Sequence, residues 1–192
     1  MKLDNVLSEL VELYSRITPF PSNKLEFSFE ELDILSSFFQ GELLYYYQHV
    51  QMKGNCYFGN SNFNLILLPL HSEFTTVEHW ALQDYEEFID GKYQIFACTD
   101  SDAIIFCDVT NLMSPVYAGR PGDPDFYQLS NSLTEFFMFY IAFTRMQQTR
   151  EFETSTEYFA ETAILIEKYI SENSQNTAKK ISFTLKMLNS LK

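Results

Sequence analysis

The chain has 192 residues, enough for one domain, and 46% of them are hydrophobic, so a large core can be buried. Thirteen basic and 26 acidic residues give a net charge of −13, which disfavours nucleic acid and anionic membrane as partners. No apolar run approaches the ~18 residues that span a bilayer, the first ten residues carry acids where a signal peptide is apolar, and the three cysteines are an odd number in apolar contexts. These features lead to the expectation of a soluble cytoplasmic protein with reduced, buried thiols.

In chain order, Val6, Leu10, Leu13, Tyr14 and Ile17 recur at helical spacing and predict an amphipathic helix over 5–17, stopped by Pro19 and Pro21. Ser28 and Glu31 form a capping-box pattern ahead of Leu32, Leu35 and Phe39, which predicts a second helix. Gly41 interrupts the apolar pattern, and a further segment runs over 42–50. Its consecutive tyrosines, Tyr45, Tyr46 and Tyr47, cannot all face one core, so at least one is expected to be partly exposed. A turn at 53–55 leads to strands at 56–58 and 64–70, separated by the polar turn 59–62, with Pro69 marking an end or an edge. Thr76 is a candidate cap for a short helix through Val77 and Trp80 to about residue 84. Asp90 and Gly91 read as a turn.

Segments 94–99 and 103–109 alternate as a hairpin around an acidic turn, 115–118 is a third short strand, and 119–125 is a Gly/Pro loop. Ser132 and Glu135 make a second capping box, opening a helix to about residue 147. Phe136, Phe137, Phe139, Tyr140 and Phe143 make that helix apolar over most of its circumference, as expected of one held between two layers. Thr154 and Glu157 begin another helical pattern, and Ile181, Leu185, Leu188 and Leu191 mark a basic amphipathic one. The expected fold is α+β: a central antiparallel sheet packed against N-terminal and C-terminal helices. Residues 1–150 would form the domain, with 151–192 a helical extension on it.

Chemistry-bearing patterns are few. His49, His71 and His79 lack paired metal-ligand spacing, with or without Cys56, so no metal site or cofactor is expected. The loop at 119–125 is not a phosphate-binding sequence, and Arg120 within it reads as a solvent-facing charge. Asp100, Asp102 and Asp108 are the best acidic cluster. The turn reading, in which short carboxylates bond the backbone, outweighs general acid–base catalysis. Trp80 reads as core. Charge is the stronger clue. The last twenty residues hold four lysines and no acid, so nine basic and 26 acidic residues leave −17 over residues 1–172. Such a body is steered toward a basic partner, although acidity also serves solubility.

The chain over roughly residues 28 to 143, and most of all from Ile95 to Phe136, resembles the SUKH superfamily, which takes in the yeast cell-wall glucan-synthesis regulator and many bacterial immunity proteins. The resemblance rests on Ile95-Phe96-Ala97, Thr99-Asp100, Ile104-Ile105-Phe106 with Asp108, Pro115-Val116-Tyr117, and the helix start at Ser132, Leu133, Glu135 and Phe136. The chain departs from the family pattern in lacking a clear Leu-Pro-x-x-Tyr signature and in having Ser101-Asp102 where a glycine is common. The resemblance implies a non-enzymatic protein that binds and neutralises a cognate toxin domain. Its alternative is an intracellular regulatory or scaffold protein. Acids near the turns, namely Glu86, Glu87, Asp90, Asp100 and Asp102, are the expected contacts to a basic toxin.

Overall fold

A computed structural model describes residues 2–18, 22–33, 39–58, 65–99, 102–123 and 126–149. The helical patterns expected within 151–192 lie outside the described residues.

Six strands run as an antiparallel meander in sequence order: β3 (Cys56–Phe58), β4 (Leu65–Leu67), β5 (Tyr93–Cys98), β6 (Ile104–Asp108), β7 (Val116–Gly119) and β8 (Tyr127–Ser130). The central hairpin pairs Tyr93 with Asp108 and Cys98 with Ile104, and a bulge at Phe96 shifts the register. A separate ribbon pairs β1 (Lys24–Phe27) with β2 (Val50–Lys53), also antiparallel. Helix α1 (Leu3–Ile17) and helix α4 (Leu133–Thr149) flank the sheet, and α2 (Gly41–His49) packs beside them. The expected α+β architecture is present, with Ile95, Phe96, Ile104, Ile105, Val116 and Tyr117 all in the sheet.

The helix-covered face of the sheet supplies Leu67, Phe96, Ile105 and Val116 to a core shared with α1, α2 and α4. Phe136 and Phe137 of α4 meet Phe96 edge-on, with ring centroids 5.7 and 6.2 Å away. On α4's other side, Arg145 pairs with Glu9 of α1. Phe136, Phe137, Phe139, Tyr140 and Phe143 are all buried in the core shared with α1 and α2, which explains why a helix carrying so many aromatic residues is stable in water. Its start is the expected capping box: the Glu135 amide donates to Ser132 Oγ at 3.0 Å, and the Glu135 carboxylate accepts from the Asn131 amide at 3.1 Å.

Four expectations are corrected. Ser28 and Glu31 open no helix over 28–33, because tertiary partners claim the amides. The Ser28 amide donates to His49 O and the Leu32 amide to Gln48 O, while Ser28 Oγ accepts from Glu30 in a local turn. Residues 34–38 lie outside the described residues. The helix expected over 42–50 begins at Gly41 and stops at His49, where Val50 enters the ribbon. The strand expected over 64–70 ends at Leu67. The Leu68 amide still reaches Phe96 O, but Pro69 has no N–H to continue the ladder. Thr76 Oγ1 does accept from the His79 amide at 3.3 Å, yet the chain turns rather than coils and passes through Ala81 at φ 54°. A four-residue helix, α3 (Glu86–Ile89), forms further on.

A node at the start of α2 joins three elements. Gly41 has φ +68°, and a Cβ there would sit 2.1 Å from Leu112 O, so only glycine fits. The Glu42 amide donates to that same carbonyl at 2.9 Å, and the Leu43 amide donates to Ser114 Oγ at 3.0 Å. The Glu42 carboxylate then caps α4, accepting from the Thr134 amide at 2.7 Å. Burial raises the Glu42 carboxyl above its ordinary value of 4.5, against the opposing pull of the Thr134 and Leu133 amides.

Glu42→Ala is expected to cost about 1–2 kcal/mol by leaving helix-end amides unpaired. Glu42→Gln keeps an acceptor and should recover most of that. A raised carboxyl contributes stability that is fully present below 4.5 and lost as pH rises through its folded value. Wild type should therefore gain on Glu42→Gln when urea midpoints are compared at neutral pH and again below pH 4.5. A loss on acidification would contradict the buried-acid geometry.

Candidate functional site

The other face of the sheet is covered without a long helix. The excursion between β4 and β5, residues 69–92, folds back over Ile66, Leu68, Ile95, Ile104 and Phe106 and adds Leu82 and Phe88 to a second core. This core is an aromatic layer. Phe106 sits 4.9 Å from both Phe88 and Tyr93, 5.1 Å from Phe126 and 5.7 Å from a nearly parallel Tyr117 ring. Trp80 anchors the excursion from within, donating from Nε1 to Phe74 O at 2.7 Å. It is only partly buried and packs against this core rather than within it, which corrects the expectation of a core residue.

Charge on this excursion is one-sided. It carries Glu73, Glu78, Asp84, Glu86, Glu87 and Asp90 against Lys92 alone, and all six acids are exposed. The ion pairs among the described residues are Arg16–Glu12, Lys24–Glu26 and Arg145–Glu9, so none of the six is neutralised there. Glu86 and Glu87 lie in the first turn of α3, where the helix dipole favours them. Glu73 likewise opens a short 3-10 turn, Glu73–Thr75, and Glu78, Asp84 and Asp90 have no such local reason.

The site residues expected from sequence divide into two groups. Glu86, Glu87 and Asp90 lie together on α3 and its C-terminal turn, over the Tyr93 end of the hairpin. Asp102 lies at the opposite end, exposed and in left-handed backbone at φ 61°. The six residues of β5 separate the two ends by roughly 20 Å at ~3.3 Å per strand residue. Asp100 lies outside the described residues. Asp108 is a turn residue: its Oδ1 accepts from the Thr110 amide at 2.9 Å and from the Thr110 hydroxyl at 2.6 Å. Sequence reasoning missed Glu73, Glu78 and Asp84, which lie exposed on the same excursion. Counting acids between strands, rather than at turns, was the available signal.

Between the excursion, β5 and Phe39 lies a cleft of about 340 Å³, lined by Leu70, Val77, Phe88, Tyr93 and Ile95, with His71, Thr75 and Gln94 among its polar groups. It forms where β4 leaves the sheet at Pro69 and β5 continues without a partner on that side. A second hollow of about 400 Å³ lies beyond Leu70 and His71, against Val50, Gln51 and Met52 of β2.

Other candidates resolve as structure. Tyr46 and Tyr47 are buried; Tyr45 is partly exposed, but its hydroxyl donates to the Asp4 carboxylate and ties α2 to α1. Arg120 is partly buried rather than solvent-facing. All three cysteines are buried. Burial pushes the Cys56 thiol up to about 11 and the Cys107 thiol well above its ordinary value, the opposite of an activated nucleophile. Among the described residues no group of three or more His, Cys, Asp or Glu is placed to hold a metal ion, and no helix is long and apolar enough to cross a membrane.

In comparison with known proteins, no family model, no curated protein and no solved structure matches the chain.

Proposed function

We propose that this chain is a non-catalytic binding protein that captures a basic protein partner, in the manner of an immunity protein neutralising a toxin domain. The observation that carries this reading is the set of six exposed acids on one excursion, none of them in an ion pair among the described residues. Exposed like charges repel one another and are tolerated where they serve long-range attraction or solubility. Solubility needs no clustering, and the concentration of acid on one excursion favours attraction. The motif resemblance described above supplies the class of partner, since toxin domains that act on nucleic acid are basic. The mechanism is occlusion: acids steer the partner, and the bound protein covers its working surface.

The test is to express the open reading frame beside this gene, with and without this chain, in a host the neighbouring product harms. Protection together with a co-purifying complex is expected. At 0.1 M salt charges are screened over ~10 Å, so the association rate should fall as salt rises past that point. A neighbour that is harmless, or that forms no complex, would overturn the toxin reading. A complex with an acidic protein would overturn the basic-partner reading.

A further inference from the structure

The cleft lies between the acidic excursion, β5 and Phe39, and two of its polar groups, Gln94 and Thr75, are already occupied. Gln94 Nε2 donates to Ile95 O at 2.8 Å and lies 3.5 Å from Thr75 O, filling the place β4 vacates. The Thr75 hydroxyl donates to Ser72 O at 2.7 Å and Leu70 O at 3.0 Å. What remains for an incoming group is the apolar wall of Phe39, Leu70, Val77, Phe88 and Ile95, the face of Tyr93 and the His71 ring. At about 340 Å³ the cleft is at the small end of ligand pockets, ~300–1,000 Å³. Its size suits one large side chain. Next to Phe88, Ile89 is 61% exposed between Glu86, Glu87 and Asp90, an unusual place to leave an isoleucine in water.

We propose that this cleft is the anchor site for a basic protein segment, with one large apolar side chain of the partner entering it and flanking lysines or arginines meeting the surrounding acids. The occupant follows from complementarity: no Asp, Glu, Lys or Arg lines the cleft, while Glu78, Glu87 and Asp90, the exposed chain neighbours of Val77, Phe88 and Gly91, make the excursion around it acidic against Lys92 alone. The inference rests on the basic-partner reading above and adds a division of labour. The acids set how fast the partner arrives, and the anchor sets how long it stays.

Three capped synthetic peptides test it on the intact chain: Lys-Lys-Trp-Lys-Lys, Lys-Lys-Ala-Lys-Lys and Glu-Glu-Trp-Glu-Glu. Binding is read as amide NMR shifts of the 15N-labelled protein. The first peptide is expected to bind about tenfold or more tighter than the second, since one well-packed apolar group is worth ~1–3 kcal/mol, with shifts centred on Gly91, Tyr93 and Gln94. Val77→Trp, which fills the cleft, should abolish that advantage, and Val77→Ala, the milder change, should reduce it. Equal binding of the two lysine peptides, or shifts away from those amides, would overturn the anchor while leaving the basic-partner reading in place. Cleft-dependent binding of the glutamate peptide equal to the lysine one would remove the basic preference and keep the pocket. No binding by any peptide would overturn the anchor.

Discussion

Phe106→Ala is expected to lower folding stability by about 3–5 kcal/mol, the range for removing a buried phenylalanine. Phe106 is fully buried in the central hairpin and touches four aromatic rings, from α3, β5, β7 and the segment before β8. Neighbours from four chain segments cannot collapse together into the gap, so most of the cavity remains. The cost is read from the urea midpoint at constant slope. Phe29→Ala is the control: Phe29 is 79% exposed, and its loss should shift stability by no more than ~0.5 kcal/mol. Because this layer attaches the acidic excursion to the sheet, hydrogen exchange should rise first at the amides of Phe88, Ile89 and Asp90. A cost below 1 kcal/mol would mean that the second face is not packed as a core, and the excursion would lose its claim to be a rigid platform.

How far the fold could be read from the sequence depends on where each element finds its partners. The 93–109 hairpin is legible because each strand meets its neighbour across a short turn, so apolar runs and turn residues suffice. The Ser132–Glu135 capping box is legible for the same reason: its bonds close within five residues. The same pattern at Ser28 and Glu31 misleads, because the Ser28 and Leu32 amides are taken by His49 and Gln48 O, some twenty residues away. Strand β1, Lys-Leu-Glu-Phe, carries too little apolar pattern to stand alone and exists because β2 lies opposite. Strand β8 was hidden between a Gly/Pro loop and a helix cap. The candidate site was half legible. Glu86, Glu87 and Asp90 carry their acidity in sequence, but Asp102 was grouped with them only because turns looked like the natural place for contacts. The cleft has no sequence signature. It arises where Pro69 ends one strand while its neighbour runs on, and that mismatch appears only when the two are paired.

Reversing the α3 acids, with Glu86, Glu87 and Asp90 all changed to lysine, is expected to slow capture of a basic partner about 10–100-fold at low salt. The same net change placed elsewhere, at the exposed Glu30, Glu31 and Asp33, should slow it far less. Both triple variants move the chain's charge from −13 to −7, each by three replacements of −1 with +1, so they differ only in where the change is made. Steering by overall charge would affect them equally. Steering by a local field would not, because separations beyond ~10 Å are screened at 0.1 M salt. Exposed positions keep the folding cost small, and an unchanged urea midpoint confirms it. The dissociation rate should respond less than the association rate, since rim charges act on the approach. Raising salt should erase the difference between the two variants. Equal slowing in both would mean that the excursion is not the contact surface. Slowing confined to the dissociation rate would place these acids inside the interface as bonded partners rather than around it as a guiding field.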